Sequence, residues 1–240
     1  DVGAPVEYKK MEAKMALDLC EDPSNPTVGA VISANPADPG FTSYIEGLAD
    51  NPYLKGIRCC NGSGVMESTH VLQNVRFLGS LNLSVDLNIQ PDSLNRGLQL
   101  ADACPDTRFI VNHCGNADPV AFSPESKHKP RDAKHDDEQW YADMEMLSQR
   151  SNVICKISGL VDNVRDFQLT TNDLAPIINH CYKVFGPDRI IFASDWPVCQ
   201  VTMPLAQLIE ILKSITAQWP KAHQKKLFHD NAFQFYGLKD

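Results

Sequence analysis

Six short apolar runs recur along the chain, each bounded by Pro, Gly, Asp or a polar stretch: 27–34 (TVGAVISA), 56–60 (GIRCC), 83–89 (LSVDLNI), 108–113 (RFIVNH), 153–158 (VICKIS) and 189–195 (RIIFASD). Their shortness and their Val and Ile content predict strands rather than helices. Between them the apolar period becomes helical. In 92–104 (DSLNRGLQLADAC), Leu94, Leu98 and Ala101 share a face, with Asp92 after Pro91 placed as an N-cap. Trp140, Met144 and Leu147 do the same in 137–148, and 169–184, 204–215 and a closing segment, 226–238, complete the helices. Alternating strands and helices, with strands apolar almost throughout, predict a parallel sheet covered by helices.

The stretch 116–136 breaks the rhythm. It is polar, rich in Pro and long for a connector, so it reads as a loop insertion within a single domain spanning 1–240. It follows the strand ending at His113, on the face where parallel α/β enzymes place their chemistry. Six strands fit two architectures. An open doubly wound sheet is satisfied by six, whereas a (β/α)8 barrel needs eight and would have its first strands upstream of Asp1.

Composition removes several function classes. A chain of 240 residues with 43% hydrophobic and 22% charged residues is a globular domain with a sizeable core. A net charge of −8 argues against a nucleic-acid groove, and no apolar run is long enough to span a bilayer. The eight cysteines include no C-x-x-C pair, and several sit in apolar runs. They are expected to be buried free thiols in a reducing compartment, which implies a cytoplasmic protein. No G-x-G-x-x-G, P-loop, H-E-x-x-H or G-x-S-x-G motif occurs, so neither nucleotide-driven nor serine-hydrolase chemistry is supported.

Polar residues at strand ends supply the candidate chemistry. By period two, Phe109, Val111 and His113 share a face, as do Ile191, Ala193 and Asp195, and Ile154, Lys156 and Ser158. An imidazole and a carboxylate at strand ends suit either a divalent metal or general-base activation of water, whereas the plain alternative is a core histidine and a turn-capping Asp. Arg58 could grip a substrate carboxylate or form a structural ion pair. Lys156 needs a partner or the mouth of the sheet, because burying it unpaired is costly. Asp86 and Asn88 alternate with apolar residues and either line the barrel interior or belong to a plain half-exposed strand, and Trp196 is either a pocket wall or a packed aromatic.

Several of these segments together resemble the amidohydrolase 2 family. The run 188–199 (DRIIFASDWPVC) is similar to its last strand, 152–160 (NVICKISGL) to the strand before, 55–58 (KGIR) to its G-x-R strand and 231–238 (NAFQFYGL) to its closing helix. The subgroups it resembles are the sugar-lactone and 2-pyrone-4,6-dicarboxylate lactonases. The resemblance implies a distorted TIM-barrel-like (β/α)8 fold hydrolysing a small sugar-derived or carboxylated lactone. Asp195 and His113 would be catalytic, and would be the ligands of one divalent metal, zinc or manganese, where one is bound. Arg58, Lys156, Ser158, Trp196 and Asn88 would bind substrate. The family's opening H-x-H strand has no counterpart in these residues, so the first one or two strands are expected to be missing from this sequence. A non-oxidative decarboxylase and a non-catalytic ligand-binding barrel are the competing readings. The expected partner is a small-molecule substrate, with neither nucleic acid nor membrane, and a homodimer is expected only on the frequency of such oligomers.

Overall fold

The computed structural model describes residues 5–59, 68–122, 132–162, 164 and 169–238. The six apolar runs form six strands: β1 (Ala30–Ser33), β2 (Leu54–Cys59), β3 (Ser84–Leu87), β4 (Arg108–Val111), β5 (Val153–Ile157) and β6 (Ile190–Phe192). All neighbours pair in parallel, and the order across the sheet is the order along the chain. A doubly wound sheet reverses its strand order at a switch point, and this sheet has no such reversal. The order is that of consecutive βα units in a barrel, over an arc of six.

The expected helices form with shifted boundaries. Asp137–Ser148 matches its predicted span, while Thr171–Phe185 and Leu205–Thr216 lie within two residues of theirs. Lys9–Glu21, Phe41–Glu46, Thr69–Ser80 and Lys221–Lys225 are helices that the apolar pattern left unassigned. Lys9–Glu21 escaped because its apolar residues do not gather on one side: Ala13, Leu17 and Cys20 are buried while Met11, Met15 and Leu19 face solvent. Asp92 is not a cap. It lies inside a 3-10 turn, Pro91–Ser93, and its carboxylate accepts from Ser93 Oγ at 3.0 Å.

Of the 116–136 insertion, residues 123–131 lie outside the described residues. Its ends are tied together: the Asp118 N–H donates to His135 Nε2 at 2.9 Å, and the Lys134 N–H to Asp118 Oδ2 at 2.9 Å. Among the described residues no helix is long and apolar enough to cross a membrane.

The two faces of the sheet bury different things. Ile32, Ile57, Val85, Leu87, Phe109, Val111, Cys155 and Ile190 join the main core beneath the helices. The opposite, inner face carries Ile110, Ile154 and Ile191, which pack against Ala232, Phe235 and Tyr236 of the C-terminal helix Asn231–Tyr236. Strand alternation places Arg58, Asp86 and Lys156 on that inner face as well. They occupy successive registers: Arg58 pairs with Asp86, Asp86 with Ile110, and Lys156 with Ile191.

Six cysteines, Cys20, Cys104, Cys114, Cys155, Cys181 and Cys199, are buried free thiols. Cys59 departs from the expectation, being disulfide-bonded. Cys60 lies outside the described residues.

Candidate active site

The site is organised by an unusual turn. β4 ends at Val111, and His113, Cys114, Gly115 and Asn116 then all adopt positive φ, at 55°, 50°, 68° and 53°. Left-handed backbone costs a non-glycine residue roughly 1–2 kcal/mol, and three of these four carry a Cβ. Tertiary contacts hold the turn. Asn116 Nδ2 donates to Asn88 Oδ1 at 3.1 Å and to the Ile89 carbonyl at 2.7 Å, and Trp140 Nε1 donates to the Cys114 carbonyl at 2.9 Å.

This turn corrects the period-two reading of β4. Phe109 and Val111 point into the helix-covered core, so a continued strand would bury His113 among them. The left-handed backbone instead swings the imidazole to the inner side, where it meets side chains just beyond the ends of β5 and β6. His113 Nδ1 lies 2.9 Å from Ser158 Oγ, and Nε2 lies 3.9 Å from Asp195 Oδ1. Asp195, beyond β6, is itself held at φ 54°, and its carbonyl accepts the Cys199 N–H at 3.0 Å.

Gly159 makes room for the ring. Its φ is +60°, and a Cβ built there would lie 2.3 Å from His113 Nδ1. Burial pulls the imidazole pKa from 6.5 down to about 4; the Asp195 carboxylate opposes the shift, and the nearby charges of Arg58 and Lys156 reinforce it. The ring is therefore neutral at pH 7. It can donate from one nitrogen and accept at the other.

Lys156 finds its partner across the inner face. Its Nζ lies 2.5 Å from Asp86 Oδ2, with the side chains 14% and 2% exposed. The other carboxylate oxygen, Asp86 Oδ1, is buried with no hydrogen-bond partner among the described residues. Arg58, the penultimate residue of β2, lies beside Asp86 in register. Trp196 directly follows Asp195 and is 59% exposed, so it is not a packed core aromatic. Asn88 Oδ1 accepts from Asn116 and so anchors the turn.

Ser158 and Asp195 thus each meet His113, and Lys156 and Arg58 act on the imidazole through charge. Two contributors were missed from sequence. Gly159 was quoted only within a motif, although a glycine directly after a polar strand end is a signal for close approach. The thiols Cys114, Cys155 and Cys181 converge from positions 41 and 26 residues apart, and no local spacing announces that.

His113 Nε2 and Asp195 Oδ1 offer two ligand atoms, whereas catalytic zinc sites use three protein ligands. Among the described residues the one group of three or more potential ligands is Cys114, Cys155 and Cys181, and neither His113 nor Asp195 belongs to it. The described residues do not complete a divalent-metal site at His113 and Asp195.

A parallel sheet in barrel order, with a neutral imidazole, a carboxylate and two cations at its strand ends, is the frame of a hydrolytic enzyme. The chain belongs to the amidohydrolase family, whose model matches residues 7–238, and it is a hydrolase of that family. It is 31% identical to the uncharacterized protein y4mH of Sinorhizobium fredii, over 98% of this chain and 84% of that protein. It is 26% identical to an L-rhamnono-gamma-lactonase of Scheffersomyces stipitis, over 70% of this chain and about half (54%) of the relative's length. In structure it superposes on a zinc-bound amidohydrolase from Burkholderia multivorans with a TM-score of 0.81, at 19% identity, covering 96% of this chain and 80% of that one.

Proposed function

We propose that the protein hydrolyses a small, sugar-derived or carboxylated lactone. The observation that carries this reading is the meeting of His113 and Asp195 at 3.9 Å, on a face that also bears Arg58 and Lys156. The lactonase named among the sequence relatives supports the choice of substrate class.

In this mechanism Asp195 accepts a proton from water as the water oxygen bonds to the lactone carbonyl carbon. Ser158 donates its hydroxyl hydrogen to His113 Nδ1, which fixes the tautomer and leaves Nε2–H as a donor to the carbonyl oxygen. Charge developing on that oxygen is stabilised by Nε2–H and by the field of Arg58 and Lys156. Collapse breaks the ring C–O bond, and Asp195 returns the proton to the leaving alkoxide. The product is an open hydroxy acid. Arg58 holds a substrate carboxylate or ring hydroxyls, with Trp196 at the rim of the site.

A panel of five- and six-membered sugar-acid lactones, followed by acid release at constant pH, tests the proposal. Saturable acid release from at least one of them is expected. Carbon dioxide release from an aromatic acid, with every lactone inert, would transfer the site to decarboxylation.

A further inference from the structure

We propose that Cys114, Cys155 and Cys181 form a site for a three-coordinate thiophilic centre, trivalent arsenic by chemical class, behind the turn that carries His113. The three Sγ atoms all lie within 4.8 Å of one another, and each residue is fully buried. They come from three different elements: the left-handed turn after β4, the helix-facing side of β5, and the helix Thr171–Phe185. The turn that delivers His113 to the inner face delivers the next residue to the opposite side. There the Cys114 thiol reaches the Lys156 carbonyl at 3.8 Å.

Ligand chemistry selects the occupant. Three sulfurs with no oxygen donor exclude hard cations such as magnesium and calcium. Among the described residues no fourth Cys, His or carboxylate joins the group, so a four-coordinate zinc ion would lack a protein ligand. Three thiolates around a monovalent or divalent ion would also leave net negative charge in a dry core, which is costly without a counter-ion. Trivalent arsenic with three thiolates is neutral and needs no fourth ligand. The exchange balances without an oxidant. Three As–O bonds of arsenous acid break, three As–S bonds form, and each thiol proton leaves on a hydroxyl as water. Arsenous acid is uncharged at neutral pH, so its passage through an apolar wall carries no ionic desolvation cost. The adduct would tie the left-handed turn covalently to β5 and to Thr171–Phe185, bracing the backbone beneath His113.

Sodium arsenite is the probe, added both to the folded protein and during refolding from denaturant, so that access to the buried thiols does not limit the result. Mass spectrometry is expected to show one arsenic gained for three hydrogens lost. The Cys20→Ala variant should keep that adduct. Cys181→Ala and Cys181→Ser, each confirmed as folded by circular dichroism, should lose it. Absence of the adduct by both routes, or its survival in a folded Cys181 variant, would overturn the proposal.

Discussion

Ser158 Oγ sits 2.9 Å from His113 Nδ1, and this contact sets which edge of the imidazole faces Asp195. Both residues stand at strand ends, but only Ser158 arrives there by strand alternation. His113 arrives by a left-handed turn. Ser158→Ala is therefore expected to leave the fold intact and to lower kcat while moving KM little, because the ring loses its orienting partner rather than a substrate contact. Steady-state kinetics on the most active lactone would check the split; a pure KM effect would place Ser158 on the substrate instead.

The tight approach of Gly159 makes a harsher prediction. A methyl group there would meet the imidazole at 2.3 Å, in backbone already at φ +60°. Gly159→Ala should cost about 1–3 kcal/mol of stability, as overpacking does, and should abolish turnover by displacing His113. Urea unfolding beside an activity assay measures both effects.

Burial of His113 as the neutral ring has a pH signature. Its folded pKa, about 4, lies below the ordinary 6.5. Between those values the unfolded chain binds a proton that the folded chain does not, so stability falls as pH drops through that window. The full effect is on the order of 3 kcal/mol at one site. A His113→Gln variant should show a flatter stability profile between pH 7 and pH 4. The wild-type rate profile should lack a histidine limb near 6.5. A clear limb there would mean that the ring titrates as an exposed histidine.

Lys156 and Asp86 form a buried pair, and removing only the cation leaves a carboxylate in the interior. Lys156→Met should destabilise by roughly 3–5 kcal/mol, with Asp86→Leu added to it restoring part of the loss. A thermal-unfolding double-mutant cycle gives the coupling. Additive effects would mean that the two charges are solvated independently.

The strands were legible because each is a short apolar run with punctuation at both ends, and their type and order in the chain needed nothing more. The apolar pattern alone left strand order in space open; the family resemblance implied a barrel, and the register from Ala30 through Phe192 bears that out against a doubly wound sheet. The helix Lys9–Glu21 was hidden by Met11, Met15 and Leu19, whose exposed side chains blur its buried stripe. Within the site, Asp195, Lys156 and Ser158 could be named from alternation and motif. The route by which His113 reaches them could not, since alternation assigns it to the wrong face and the correction depends on Asn88 and Trp140, distant residues that hold the turn. The meeting of Cys114, Cys155 and Cys181 was hidden for the same reason, since tertiary packing alone brings them together.

Trp140 is one of those supports. Its indole N–H donates to the Cys114 carbonyl at 2.9 Å, and it is buried. Trp140→Phe should leave that carbonyl unsatisfied and cost about 1–3 kcal/mol, with a loss of activity greater than that of a surface control. Equal activity at reduced stability would show that the turn holds without it.

The central claim is that Asp195 is the base for hydrolytic water attack. Its most direct measurement is lactone turnover by Asp195→Asn, a change that keeps the size of the side chain and removes its basicity. Turnover should fall by at least about 100-fold, in line with the usual contribution of a general base, while the unfolding midpoint stays near that of the wild type. A folded Asp195→Asn variant that hydrolyses the same lactone at close to the wild-type rate would contradict it.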